Sequence, residues 1–381
     1  MDKIYTSLGF MSGTSMDGVD LSLITSDGHS KFTTILDDYF EFKENLRENI
    51  INLRDKIYTL DDLKKYSNEL KNLERELTLF HSEIFNKISE KNNSKIDLIG
   101  FHGQTVFHNP SLKVSKQLGD GMLLSQLTKK IVINNFRNND LKNGGQGAPL
   151  TPIFHKLISK LIKTNHGISY PINIINIGGI TNITQIFEDE KSENIYLKGF
   201  DIGPGNCLID EWVRKNSNKK FDENGTVAES GNVDLLILNQ AIDNFSNHSY
   251  KNSLDIKDFD VSFVKGLSLE DGCATLTKFT AYLISQGIEY INNLNNKNPK
   301  INLICGGGRK NNTLVKEINN HFNKKKIKFE NIDKYGFNGD YIESQSFAYL
   351  AIKTFLNLPI SFPSTTGCKQ PTVGGIVNKN F

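Results

Sequence analysis

Residues 10–23 read Phe10-Met11-Ser12-Gly13-Thr14-Ser15-Met16-Asp17-Gly18-Val19-Asp20-Leu21-Ser22-Leu23, and the order of their chemistry decides the fold. An apolar run enters a turn of small and polar residues. Val19 to Leu23 then alternates apolar and polar with the period of a strand. Asp27-Gly28 supplies the next turn, into a strand over residues 31–42, so the first loop lies between strands. Glycine in such a loop lets backbone come close to a ligand and aim its N–H groups into a concavity, which suits phosphate. The theme returns twice. Asn176-Ile177-Gly178-Gly179-Ile180-Thr181-Asn182 follows an apolar run at 172–177, and Cys305-Gly306-Gly307-Gly308-Arg309-Lys310-Asn311 follows one at 301–304. Three such turns point to a nucleotide.

Outward from the turns, Leu63, Tyr66, Leu70, Leu73, Leu77, Phe80, Ile84 and Ile88 step by three and four. That spacing predicts one face of a long helix or a helix pair, expected to cover a sheet rather than coil around a partner. Apolar runs at 96–101 and 130–134 read as strands, and Pro149 and Pro152 open a helix. The second half shows strands at 172–177, 180–187 and 196–200, then helices at 206–215, 233–245 and 269–292. A strand at 301–304 and helices at 311–321 and 343–355 follow. Both halves therefore run strand, turn, strand, helices, the order of two related α/β lobes facing one cleft. The composition shift near residue 134 sets the expected boundary: an N-terminal lobe over 1–133, with 360–381 packing back on it, and a C-terminal lobe over 134–359.

The chain has 381 residues, enough for two cores of ordinary size. Its 45 basic and 43 acidic side chains nearly cancel, which gives no reason to expect nucleic acid or an anionic membrane as partner. Residues 1–5 lack a leader pattern and no run of about 18 apolar residues occurs, so a cytoplasmic protein is expected. Cys207, Cys273, Cys305 and Cys368 are widely spaced and read as buried small hydrophobes rather than as a disulfide or zinc framework.

Six ordered strings resemble those of the anhydro-N-acetylmuramic acid kinase family, within the acetate and sugar kinase, Hsp70 and actin superfamily. They are Phe10 to Asp20, His102-Gly103-Gln104-Thr105, Gly144-Gly145-Gln146-Gly147-Ala148-Pro149-Leu150, Asn176 to Gly179, Gly199-Phe200-Asp201-Ile202-Gly203-Pro204-Gly205-Asn206 and Cys305 to Gly308. The resemblance implies an actin-like, two-lobed ATPase fold. It also implies an ATP-dependent enzyme of cell-wall recycling that lets water open the 1,6-anhydro bridge of a muramyl sugar and phosphorylates the 6-oxygen so released. An ordinary sugar kinase of the same fold and an actin-like ATPase acting on protein partners remain alternatives.

Residue by residue, the resemblance implies Asp201 as the general base, because a carboxylate must take the proton of the attacking water. Glu343 would help hold sugar and water. Read without the family, Asp201 could equally cap the helix that begins near Gly205, and Glu343 suits the first turn of its helix. The ATP phosphates would meet Ser12, Gly13, Thr14, Ser15, Met16, Asp17, Gly18 and Val19, with Asp17 near magnesium through water. Asn176, Gly178 and Gly179 would form a second phosphate turn, together with Gly203, Pro204, Gly205 and Asn206. Gly306, Gly307, Gly308 and Asn311 would lie against adenine and ribose. His102, Gln104, Arg137 and Gln146 are the candidate sugar contacts, arginine because its fork matches a carboxylate. The ring of His102 reads as a satisfied core histidine. Two departures from the family touch this side: Asn135-Phe136-Arg137 where Asp-Phe-Arg is expected, and Lys251-Asn252-Ser253-Leu254-Asp255 in place of a Lys-Ser stretch. A homodimer through the helix near 60–90 is permitted.

Overall fold

The structure, a computed structural model, describes residues 3–92, 95–189, 194–245, 250, 252–294, 298–299, 301–325 and 327–381. The chain divides into two units, one of residues 1–157 with 341–381 and one of residues 158–340.

In the first unit, β1 (Tyr5–Met11), β2 (Gly18–Ser26) and β3 (Phe32–Glu41) form an antiparallel meander. Helices α1 (Glu44–Arg54), α2 (Leu60–Lys65) and α3 (Ser67–Lys91) follow, and β4 (Leu98–Phe101) then pairs parallel to β1. A separate hairpin, β5 (Gln104–Asn109) and β6 (Val114–Leu118), precedes α4 (Gly121–Thr128) and β7 (Ile131–Asn134), which is parallel to β4. After α5 (Asn138–Lys142), α6 (Pro152–His166) carries the chain into the second unit.

There the pattern repeats. The strands β8 (Ile172–Ile177), β9 (Ile180–Glu188) and β10 (Ile195–Pro204) form a second meander. Helices α7 (Cys207–Asn216), α8 (Thr226–Ser230), α9 (Leu235–Phe245) and α10 (Leu269–Leu294) lead to β11 (Ile301–Cys305), parallel to β8. Then α11 (Asn312–Phe322) leads to β12 (Lys328–Asn331), parallel to β11. Finally α12 (Ile342–Phe355) and β13 (Ile376–Asn378) return to the first unit.

The sheets read β3-β2-β1-β4-β7 and β10-β9-β8-β11-β12, with β13 added antiparallel at the β7 edge of the first. Strand order and direction agree position by position, so the expected duplication is one of topology. In each unit a helix connects parallel neighbours, as such crossovers require.

The first core gathers Leu8, Phe10, Val19, Leu21 and Leu23 from the sheet with Leu70, Leu73, Leu77, Ile84 and Ile88 from α3. The apolar stripe near 60–90 is thus a helix pair, and its longer member buries that face inside its own unit. On the sheet, α12 lies against backbone. A Cβ on Gly9 would stand 2.1 Å from the Ser344 carbonyl oxygen, and one on Gly100 would stand 2.2 Å from that of Phe347. Only glycine leaves room for so close an approach.

The division of the chain falls at residues 157 and 341 instead of near 134 and 359. One reason is that β7 is an interior strand, between β4 and β13, and the residues after it stay bonded to the first unit. Asp140 Oδ1 accepts from Thr366 Oγ1 at 2.6 Å, and the Lys369 N–H donates to the Asn143 carbonyl at 3.0 Å. The other reason is that α12 packs on β1, β2 and β4, which draws the second crossing back to its start. The four cysteines are free, and burial pushes the Cys207 thiol up to about 12. Among the described residues no helix is long and apolar enough to cross a membrane.

Gly9→Ala is expected to cost about 3 kcal/mol of folding stability, because the new methyl meets main chain that cannot move aside. Urea denaturation read by circular dichroism measures it; a midpoint equal to wild type would contradict the close packing of α12.

Candidate active site

The turn between β1 and β2 is closed by the Met16 N–H on the Gly13 carbonyl at 3.3 Å, with Met16 left-handed at φ 56°. Thr14 and Ser15 are exposed at its tip, whereas the side chains of Met16 and Val19 enter the core. Those two can offer a ligand only main chain. Ser12 is buried, and among the described residues its hydroxyl has no partner. Gln104, at the start of β5, donates through Nε2 to the Gly13 carbonyl at 3.2 Å, and its buried Oε1 has no partner among the described residues. Asp17 faces Arg47 of α1, Nε to Oδ1 at 3.1 Å, and its carbonyl accepts from the Phe42 N–H. Nothing in the sequence around Asp17 marked Arg47, because only the fold of α1 brings it there.

In the second unit, the other glycine strings meet at the ends of β8, β10 and β11. The Gly205 N–H donates to the Gly179 carbonyl at 2.8 Å, and the Asn206 N–H to that of Gly178 at 2.8 Å. A Cβ on Gly205 would lie 2.1 Å from the Gly178 oxygen. One on Gly306, where φ is +79°, would lie 2.4 Å from Asn176 Oδ1, and one on Gly308 would lie 2.2 Å from Ile177 Cγ2. A Cβ on Gly307 would be 3.9 Å from Asn206 Nδ2. Sequence reasoning therefore named residues that do converge, with three adjustments. The Gly306 N–H is bonded to the Gly339 carbonyl at 2.8 Å, the Asn311 side chain caps α11 by accepting from the Leu314 N–H at 2.9 Å, and Asn176 is buried.

Asp201 lies on β10, where the pairing with β9 shifts between Asp201 and Gly203. It is strand, not helix cap: α7 begins at Cys207 with Asn206 as its N-cap. The bulge places Asp201 just before Gly203-Pro204-Gly205, buried to 6% exposure, with Oδ2 accepting from the Leu254 N–H at 2.9 Å. That donor belongs to the second departing stretch, of which Lys251 lies outside the described residues. A main-chain donor does not depend on side-chain identity, so the departure leaves this contact intact.

The candidate sugar contacts sit together in the first unit. Arg137 donates to His102 Nε2 from Nη2 at 3.0 Å and Nε at 3.3 Å, and from Nη1 to the Gly147 carbonyl at 3.0 Å. His102 Nδ1 lies 2.8 Å from the Gly103 carbonyl, which assigns the proton to Nδ1 and leaves Nε2 the acceptor. Both ring nitrogens are thereby occupied, so His102 orients Arg137 instead of meeting a ligand. Gln146 is half-buried, its N–H on the Thr366 carbonyl at 2.8 Å. Asp140 shapes this string, since its Oδ2 accepts from the Gly147 N–H at 2.7 Å. Asn135 adopts φ 56°, a left-handed conformation that asparagine tolerates, which accounts for it at the first departure.

Glu343, in the first turn of α12, is half-buried. Next to it, Ser344 Oγ is 2.7 Å from Ser22 Oγ, which donates to Asp37 at 2.6 Å; Asp37 also accepts from Gln345 Nε2 at 3.1 Å. Burial raises the Asp37 carboxyl above its ordinary range. Sequence reasoning missed Asp37 because it looks like any polar residue of an edge strand. It also missed the charge cluster around Arg309. Among the described residues no three His, Cys, Asp or Glu side chains form a metal site.

A family model described as anhydro-N-acetylmuramic acid kinase matches residues 5–379. This chain belongs to that family. It is 53% identical over the full length of both chains to the anhydro-N-acetylmuramic acid kinase of Pelagibacter ubique strain HTCC1062. To the enzyme of the same name from Brucella canis it is 34% identical, over 99% of each. Among solved structures, hexokinase from Schistosoma mansoni complexed with glucose aligns over 91% of this chain and 85% of its own, at 11% identity and TM-score 0.40. A likeness that distant carries no argument.

Four histidines of the first unit are held neutral by desolvation: buried His81 at about 4, half-buried His108 and buried His155 at about 3, and buried His102 well below its ordinary value. In the unfolded chain each takes a proton near pH 6.5, so their stability contribution is complete above that pH and falls as pH drops toward the folded values. His81→Phe, in a site already formed by Phe10, Phe80 and Phe101, should remove about 1 kcal/mol per pH unit from the slope of stability between pH 6 and 5. Urea titrations at several pH values give that slope; an unchanged one would mean that His81 is not neutral in the fold.

Proposed function

We propose that this chain uses ATP to convert 1,6-anhydro-N-acetylmuramic acid into N-acetylmuramic acid 6-phosphate, with Asp201 as the base that activates water. Family membership over residues 5–379 supports the reaction. The observation that carries the assignment of Asp201 is its place on the β10 bulge, two residues before the glycine string that closes against Gly178 and Gly179.

The chemistry follows from charge. Asp201 takes a proton from water as the water oxygen bonds to the anomeric carbon. The bond from that carbon to the bridging oxygen breaks, and the released 6-oxygen attacks the γ-phosphorus. The γ-phosphorus–oxygen bond to the β-phosphate then breaks, and ADP leaves. The Leu254 N–H, donating to Asp201 Oδ2, orients the carboxylate. Glu343 holds sugar and water, as a second carboxylate does in glycoside chemistry. Arg137, oriented by His102, takes the lactyl carboxylate, with Gln104 and Gln146 as neutral polar contacts.

For the nucleotide, the close approaches at Gly205, Gly306 and Gly308 are what a backbone cradle requires, since any Cβ there would fill it. Ser12–Gly18 meets the phosphates through main chain and the exposed hydroxyls of Thr14 and Ser15. Magnesium, when bound with ATP, would offset phosphate charge. The chain's part is Asp17 through water, consistent with the lack of a three-ligand cluster among the described residues. Near-balanced charge supports small-molecule substrates over nucleic acid or a membrane surface, and a cytoplasmic site of action suits an ATP-consuming enzyme.

Two measurements test this. Mass spectrometry of the product formed from the anhydro-sugar, ATP and magnesium should show the gain of one water and one phosphoryl group; a phosphoryl gain alone would assign an ordinary sugar kinase. Asp201→Asn should lower kcat by about 10³-fold or more while calorimetry shows ATP binding within about threefold of wild type. Turnover near wild type would remove the base assignment.

A further inference from the structure

Three consecutive glycines make the least self-determined turn a chain can have, so the shape of Gly306–Gly308 must be imposed from outside. The structure shows what imposes it. Arg309, with only 5% of its side chain exposed, uses its whole fork: Nε to Asp333 Oδ2 at 2.8 Å, Nη2 to Asp333 Oδ1 at 3.0 Å, Nη1 to Asp340 Oδ1 at 2.6 Å. Nη1 also donates back to the Gly306 carbonyl at 3.1 Å. The other side of the same glycine is held as well, since its N–H donates to the Gly339 carbonyl at 2.8 Å. Gly339 in turn donates to Asp333 Oδ1 at 3.2 Å, and its backbone lies so close to the guanidinium that a Cβ there would be 2.5 Å from Nε. The network closes on itself. Both acids are held below the ordinary carboxylate range, because their bonds to Arg309 outweigh the burial that would raise them.

From this geometry, and resting on the reading of Gly306–Gly308 as the adenosine side of the nucleotide site, we infer that Arg309 is a positioning residue. It holds the glycine turn in its binding shape through Asp333 and Asp340 without touching the nucleotide. A lysine cannot replace it. An ammonium carries charge but lacks the planar fork that engages Asp333 twice and the Gly306 carbonyl at once.

The test uses the full chain and two variants, Arg309→Lys and the near-isosteric Asp333→Asn, which keeps the fold if the first does not. Each is expected to raise the KM for ATP about tenfold, leave the KM for the anhydro-sugar within about twofold and leave kcat within about threefold. Exchange of the 306–311 amides, followed by mass spectrometry with and without a non-hydrolysable ATP analogue, separates the two layers of the argument. Wild type should be protected by the analogue, and both variants should lose most of that protection. No protection in wild type would remove the nucleotide assignment of the turn and this inference with it. Protection retained in both variants, with an unchanged KM for ATP, would remove this inference alone. So would sugar KM, ATP KM and kcat all shifting together, the mark of general destabilisation.

Discussion

Backbone packed directly on backbone is the constraint on which the rest of this protein depends. In the first unit α12 rests on β1 and β4 at Gly9 and Gly100, and in the second Gly205 and Gly306 press against the Gly178 and Ile177 carbonyls, Gly306 also against the Asn176 side chain and Gly308 against that of Ile177. A methyl group at any of these points would stand closer to its neighbours than real Cβ atoms do. The two groups of contacts serve different ends. Those under α12 seat the helix that carries Glu343, while those in the second unit bring three strand ends together into one lining of main-chain polar groups.

Glycine provides closeness but no rigidity, and the rigidity comes from buried charge and neutral polar clamps nearby. Arg309 holds one glycine turn, Asp140 shapes the Gly144–Gly147 string, and Asp37 ties β3 to the first turn of α12. The Arg309 and Asp37 clamps join segments far apart in sequence, Asp140 ties its local string to Thr366, and each satisfies buried polar groups that would otherwise be costly to bury. His102 belongs to the same class. As a neutral ring that accepts from a guanidinium, it fixes Arg137 without adding a charge that would titrate near neutral pH.

Asp201 illustrates how a buried carboxylate is placed at a strand end. Its strand continues past the point where the apolar pattern ends, through Gly203 and Pro204, because pairing with β9 carries it on across a bulge. The strand expected over 196–200 stops short for that reason: Asp-Ile-Gly-Pro reads as a turn by composition, and only the partner strand makes it a ladder. The Leu254 N–H completes the placement from a stretch whose side chains gave no sign of it.

The sequence by itself determined the α/β class, the repeated order of strands and helices, the three glycine turns and the family strings, because these are set by local periodicity and by residue types that only certain backbones accept. From them, Asp201, Gly178, Gly205 and Gly306 could be named in advance. Only tertiary structure decided that α12 joins the first unit, that the side chains of Met16 and Val19 belong to the core, that Asn311 caps a helix and that His102 orients an arginine. It alone brought Arg47 to Asp17, and Asp333 and Asp340 to Arg309. The reason is physical: a side chain's partner is fixed by where distant segments cross, and no local pattern in the chain records that crossing.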